Sequence, residues 1–116
     1  MTFNVEIVLR ERDYAVTDEI HTNSRPADWT EPDVEQVLKS MLLAIDRLKN
    51  PGDENRFVAL RGFSWIVEPT TGGVVIAIEI PSGAAVAGPF EVDQRKLDSL
   101  ITRVLAAAAP SRPVVH

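Results

Sequence analysis

On either side of Pro69-Thr70-Thr71-Gly72 the chain repeats with a period of two, and that repeat limits the fold more than any other feature. Before the turn, Phe63, Trp65 and Val67 alternate with Ser64, Ile66 and Glu68; after it, Val74 to Ile80 is apolar apart from Glu79. Alternation of this kind belongs to strands, and turn residues between two such runs indicate a hairpin. With residues 69–72 as a four-residue loop, Glu68 faces Gly73, and Phe63, Trp65 and Val67 oppose Ile78, Ile76 and Val74 on one face. A slip of one residue would turn every one of these side chains over, so the apolar pattern specifies the face. The second face collects Gly62, Ser64, Ile66, Glu68, Val75, Ala77 and Glu79, and sets Glu79 opposite Gly62.

A sheet with one apolar face needs a covering layer, and two segments supply it. Val34, Val37, Leu38, Met41, Leu42, Ile45 and Leu48 form a stripe at helical spacing. Thr30 serves as N-cap, Asp33 as the capping-box acid, Pro32 lies in the first turn, and Trp29 and Val34 have the spacing of a hydrophobic staple. Asn50-Pro51-Gly52 ends this helix. A second helix follows Asp93, with Leu97, Leu100, Ile101, Val104, Leu105 and Ala108 as its stripe, and stops before Pro110.

Elsewhere, Phe3, Val5, Ile7 and Leu9 fall on one side and Asn4, Glu6 and Arg10 on the other, as in a half-buried strand. Tyr14 to Ile20 reads as a second strand, without the turn signature of a tight hairpin before it. Residues 21–28 read as a loop. Arg56 to Glu68 reads as one long strand bent at Gly62, with Phe57 and Ala59 on the apolar side and Arg61 interrupting it. Residues 81–92, rich in Gly, Ala and Pro, read as an irregular connection. The expected fold is α+β: a two-layer sandwich, an antiparallel sheet of 3–5 strands with two amphipathic helices, about 31–49 and 94–109, on one face. At 116 residues the chain suits a single domain over 1–109 with a disordered tail at 110–116.

Several chemistries are excluded. Cysteine is absent, which removes disulfides, thiolate metal sites and cysteine nucleophiles. His21, near Asp18 and Glu19, lacks the companion ligands of a zinc site, so neither a metal nor a cofactor is expected. Ser24 beside His21 has no orienting third group, and "GFSWI" lacks the second glycine of a nucleophile elbow. "GAAVAG" is followed by Pro89 and Phe90 where a phosphate loop has Lys and Ser or Thr. No catalytic residue is assigned.

The net charge of −5 is unevenly spread: residues 11–35 hold eight acids against Arg12 and Arg25, and the remainder is nearly neutral. Such a surface repels phosphate backbones, so nucleic acid and membranes are not expected partners. No apolar run is long enough to cross a bilayer, and the N-terminus lacks the pattern of a secretion signal, so a cytoplasmic location is expected. The reading favoured by these features is an acidic domain without chemistry of its own. It would act by binding another protein, which could be a basic one, in the manner of adaptors, chaperones or neutralising proteins, and as a homodimer. Asp13, Asp18, Glu19 and Asp28 would steer the partner; Ile66, Val75 and Ala77 would touch it, unless residues 81–92 fold across that face. The alternative is a small-ligand pocket, or minor enzyme, between the sheet and residues 81–92, made polar by Arg61, Ser64 and Glu79.

Overall fold

The computed structural model describes residues 1–52 and 58–108. The elements run β1 (Thr2–Leu9), β2 (Ala15–His21), a 3-10 turn (Pro26–Asp28), α1 (Glu31–Lys49), β3 (Ser64–Thr70), β4 (Gly73–Ile80), β5 (Gly83–Phe90) and α2 (Gln94–Ala108). The strands form one antiparallel sheet in the order β2-β1-β5-β4-β3, with both helices on one side. This is the expected α+β sandwich. The expected tail at 110–116, and the Arg56 and Phe57 of the expected long strand, lie outside the described residues.

One core fills the space between the layers. From the sheet it takes Val5, Ile7 and Leu9 of β1, Ile20 of β2, Val67 of β3, Val74, Ile76 and Ile78 of β4, and Ala85, Ala87 and Phe90 of β5. Helix α1 contributes Val34, Val37, Leu38, Met41 and Ile45 and lies over β2, β1 and β5; α2 contributes Leu97, Leu100, Ile101 and Val104 and lies over β3. Ala85 and Ala87 are small where α1 crosses the centre of the sheet, so the helix can sit close. Trp29 closes one end of the core, its ring edge-on to Phe3 and to Phe90 with centroids 6.2 and 4.9 Å away. Its indole N–H donates to the Ser24 carbonyl at 3.0 Å, which satisfies the one polar group of a side chain only 2% exposed.

Three expectations are corrected. Residues 81–92 are not an irregular connection. Gly83–Phe90 is β5, the middle strand, paired with β1 on one side and β4 on the other. Gly83–Phe90 therefore does not fold across the outer face but forms part of its surface. The extended run before the turn begins at Ser64 and not near residue 56. Gly62 takes a positive φ of 77°, Leu60 and not Ala59 is buried, and the chain from 58 to 63 carries no strand.

The hairpin loop is two residues, Thr71-Gly72, with Thr70 paired to Gly73. Gly72 at the second central position has φ 92°, a conformation that glycine adopts without steric cost. The register therefore moves by two: Trp65 pairs with Ile78, Val67 with Ile76, and Glu79 with Ser64 instead of Gly62. A shift of two preserves the face of every side chain, so the apolar alignment holds although the partners differ.

Smaller departures concern β2 and its surroundings. Tyr14 stands outside the strand and is exposed, while β2 extends to His21, whose Nδ1 lies 3.0 Å from the Thr2 hydroxyl. Part of the expected 21–28 loop is the 3-10 turn over Pro26–Asp28.

Candidate functional site

Among the described residues nothing covers the side of the sheet away from the helices, and pairing fixes what it presents. One row runs Thr17, Glu6, Val86, Ala77, Ile66 across the five strands; the next runs Ala15, Val8, Ala84, Glu79, Ser64. Asn4 and Glu19 lie beyond the first row on one side of the sheet, Val75 and Glu68 on the other. The large apolar side chains here are accessible: Val8 is 44% exposed, Val86 39% and Ile66 50%. Between Ile66, Ala77, Val86 and Glu79 the surface dips into a shallow depression of about 250 Å³.

Within the five strands the charge on this face has a single sign. None of the five strands contains a lysine or an arginine, whereas Glu6, Glu19, Glu68 and Glu79 all point outward. None of these four has an ion-pair partner among the described residues. The cations sit on the helices and loops, where several are already engaged: Lys39 with Glu35, Arg47 with Asp18, Arg103 with Glu31. The outer face is thus an apolar strip beside carboxylates that no cation among the described residues pairs with.

Of the residues picked from the sequence, Ile66, Val75, Ala77 and Glu19 share this face. Asp18 does not. Its pairing with Val5 places it on the helix side of β2, where Oδ2 accepts from Arg47 Nη2 at 3.2 Å. Asp28 is held by Arg25 at 3.2 Å, and Asp13 lies in the exposed turn between β1 and β2. The acidic segment 11–35 is therefore dispersed over three surfaces, and the carboxylates that share the outer face are Glu6, Glu19, Glu68 and Glu79, spread from one edge of the sheet to the other.

The alternative pocket is also divided. Ser64 and Glu79 face each other on β3 and β4, but Arg61 lines a separate cleft of about 300 Å³ with Asp46, Lys49 and Pro81. Among the described residues no group of three or more His, Asp or Glu is arranged to hold a metal ion. No helix among them is long and apolar enough to cross a membrane.

Sequence reasoning missed Val8, Ala84, Val86 and Glu6 as surface partners of Ile66 and Ala77. The alternation of Ala84 and Val86 outward with Ala85 and Ala87 inward was present, but between small residues it differs too little in hydrophobicity to register as a period of two. Compared with known proteins, the chain matches no family model, no curated protein and no solved structure.

Proposed function

We propose that this domain acts by holding another protein on the outer face of its sheet, with no reaction of its own. The observation that carries the reading is the juxtaposition of accessible Val8, Val86 and Ile66 with four carboxylates that have no ion-pair partner among the described residues. Accessible apolar patches bordered by polar groups mark contact surfaces. A single sign of charge beside the patch selects a partner of the opposite sign and speeds its approach. The partner is therefore a protein with an apolar surface bordered by Lys or Arg, in keeping with an adaptor, chaperone or neutralising role.

This reading does not favour a homodimer through the same face. A two-fold pairing of identical faces would set carboxylate against carboxylate with no cation between them. A homodimer would have to use a different surface.

The test is retention of proteins from native lysate on the immobilised domain, repeated with Ile66→Glu/Val86→Glu. Both positions are accessible, so the double variant keeps its fold, which circular dichroism checks. The expected outcome is a partner held by the wild type, released by rising salt and absent from the variant. An identical retained set on both columns rejects the reading.

A further inference from the structure

We infer that the outer face receives a basic amphipathic α-helix laid diagonally across the strands, which deepens the reading above and rests on it. The apolar residues do not follow one strand. They run obliquely from Val8 on β1 through Ala84 and Val86 on β5 to Ala77 on β4 and Ile66 on β3. Glu79 flanks that diagonal on one side and Glu6 on the other. Along the strip Ala84 and Ala77 stand on either side of Val86, with Val8 and Ile66 at the ends, so a rod-like element would seat on Val86 with a small residue to each side.

Width selects the helix. An α-helix is about 10 Å across, so when laid across the strands it covers about three residues along each of them, the width of the oblique strip and its margins. Its own apolar stripe would lie on the diagonal, while Lys or Arg on its two flanks would meet Glu79 and Glu6 at the solvent margin. A partner sheet stacked face to face would instead cover all five strands and desolvate Glu6, Glu19, Glu68 and Glu79 together, which is costly for charges not individually paired. From Val8 on β1 to Ile66 on β3 the strip crosses four strands and three gaps of about 4.8 Å, roughly 14 Å, so a helix of about ten residues spans it and one of about fourteen overhangs both ends.

Strand addition, the other common way for a sheet to take a partner, is obstructed at both edges. Met1 and Thr22 exchange N–H···O bonds in both directions, so by alternation the Glu19 N–H points off the β2 edge. That donor is already taken by Asp18 Oδ1 at 2.8 Å. On the β3 edge Pro69 has no N–H, and the Val67 carbonyl accepts from Gln94 Nε2 at 3.0 Å.

The experiment titrates the full ¹⁵N-labelled chain with three stapled or linear peptides of about fourteen residues, sized from the helix rise. One has an apolar helical stripe with lysine on both flanks, one the same stripe with glutamate flanks, and one the lysine peptide's composition reordered to a period of two. The expected result is that the lysine-flanked helix shifts amides around Val8, Ala84, Val86 and Ala77, and binds at least about tenfold more tightly than either other peptide. Glu6→Gln/Glu79→Gln should weaken it at least about fivefold and flatten its salt dependence. Tighter binding of the period-two peptide, or shifts confined to Ala15–His21, overturns the inference in favour of strand addition. Failure of every peptide to bind also overturns it. Partner retention that is still lost in Ile66→Glu/Val86→Glu would then leave the broader reading standing.

Discussion

The Asp18 carboxylate joins two jobs at the edge of the sheet: one oxygen accepts the Arg47 guanidinium of α1 at 3.2 Å, and the other accepts the N–H of Glu19 at 2.8 Å. The pair is solvent-accessible, at 47% and 42% side-chain exposure, so its Coulomb contribution is small. Its consequence lies in what it denies to other chains. An edge strand exposes donors and acceptors to any other strand, and natural sheets block them. We predict that Asp18→Val lowers stability by less than about 1 kcal/mol. It should nonetheless produce concentration-dependent association, seen as a rise in sedimentation-average mass that the wild type lacks. A variant that stays at the wild-type mass at every concentration contradicts the edge role.

Glycine at the hairpin is required by contact as well as by torsion. A Cβ on Gly73 would stand 2.1 Å from the Phe90 carbonyl oxygen, and its φ is 144°; a Cβ on Gly62, at φ 77°, meets nothing within 4 Å. Gly73→Ala is therefore expected to cost well over the ~1 kcal/mol of left-handed backbone strain alone, and Gly62→Ala about that much. Urea midpoints of the two variants, read side by side, should differ clearly. Equal midpoints would contradict the close approach of β4 to the chain at Phe90.

Phe90 is fully buried, with ring centroids 4.8 Å from Phe3 and 4.9 Å from Trp29. Truncation to alanine removes the meeting point of the aromatic cluster and leaves a cavity that the surrounding strands cannot close. The expected loss is about 3–5 kcal/mol, measured by chemical denaturation and accompanied by a change in Trp29 emission. A loss below ~1 kcal/mol would mean that the core end collapses around the gap.

At the start of α1, one Asp33 oxygen accepts from the Thr30 N–H at 2.9 Å and from its hydroxyl at 3.0 Å. Asp33→Ala removes the acceptor of both bonds and an acid from the positive end of the helix. A destabilisation of about 1 kcal/mol is expected, and Asp33→Asn should recover part of it by restoring an acceptor. Thermal melts of the two variants distinguish capping from mere loss of charge.

Local periodicity by itself determined which residues face inward. The stripe from Val34 to Ile45, the alternation of Val5, Ile7 and Leu9, and the shared face of Trp65, Val67, Ile76 and Ile78 follow from periods of 3.6 and 2, which need no knowledge of neighbours. Two segments resisted this reading. Gly83–Phe90 became the central strand because β1 and β4 lie on either side to supply its hydrogen bonds; its own Ala-Ala-Val-Ala run has too little contrast to announce a strand. Asp18 was grouped by charge with its acidic neighbours, yet β-pairing with Val5 turns it toward α1. Strand order decided the candidate site in the same way. Only the placement of β5 between β1 and β4 brings Val8, Val86 and Ile66 onto one surface with Glu6 and Glu79, and that adjacency is a long-range property no local pattern encodes.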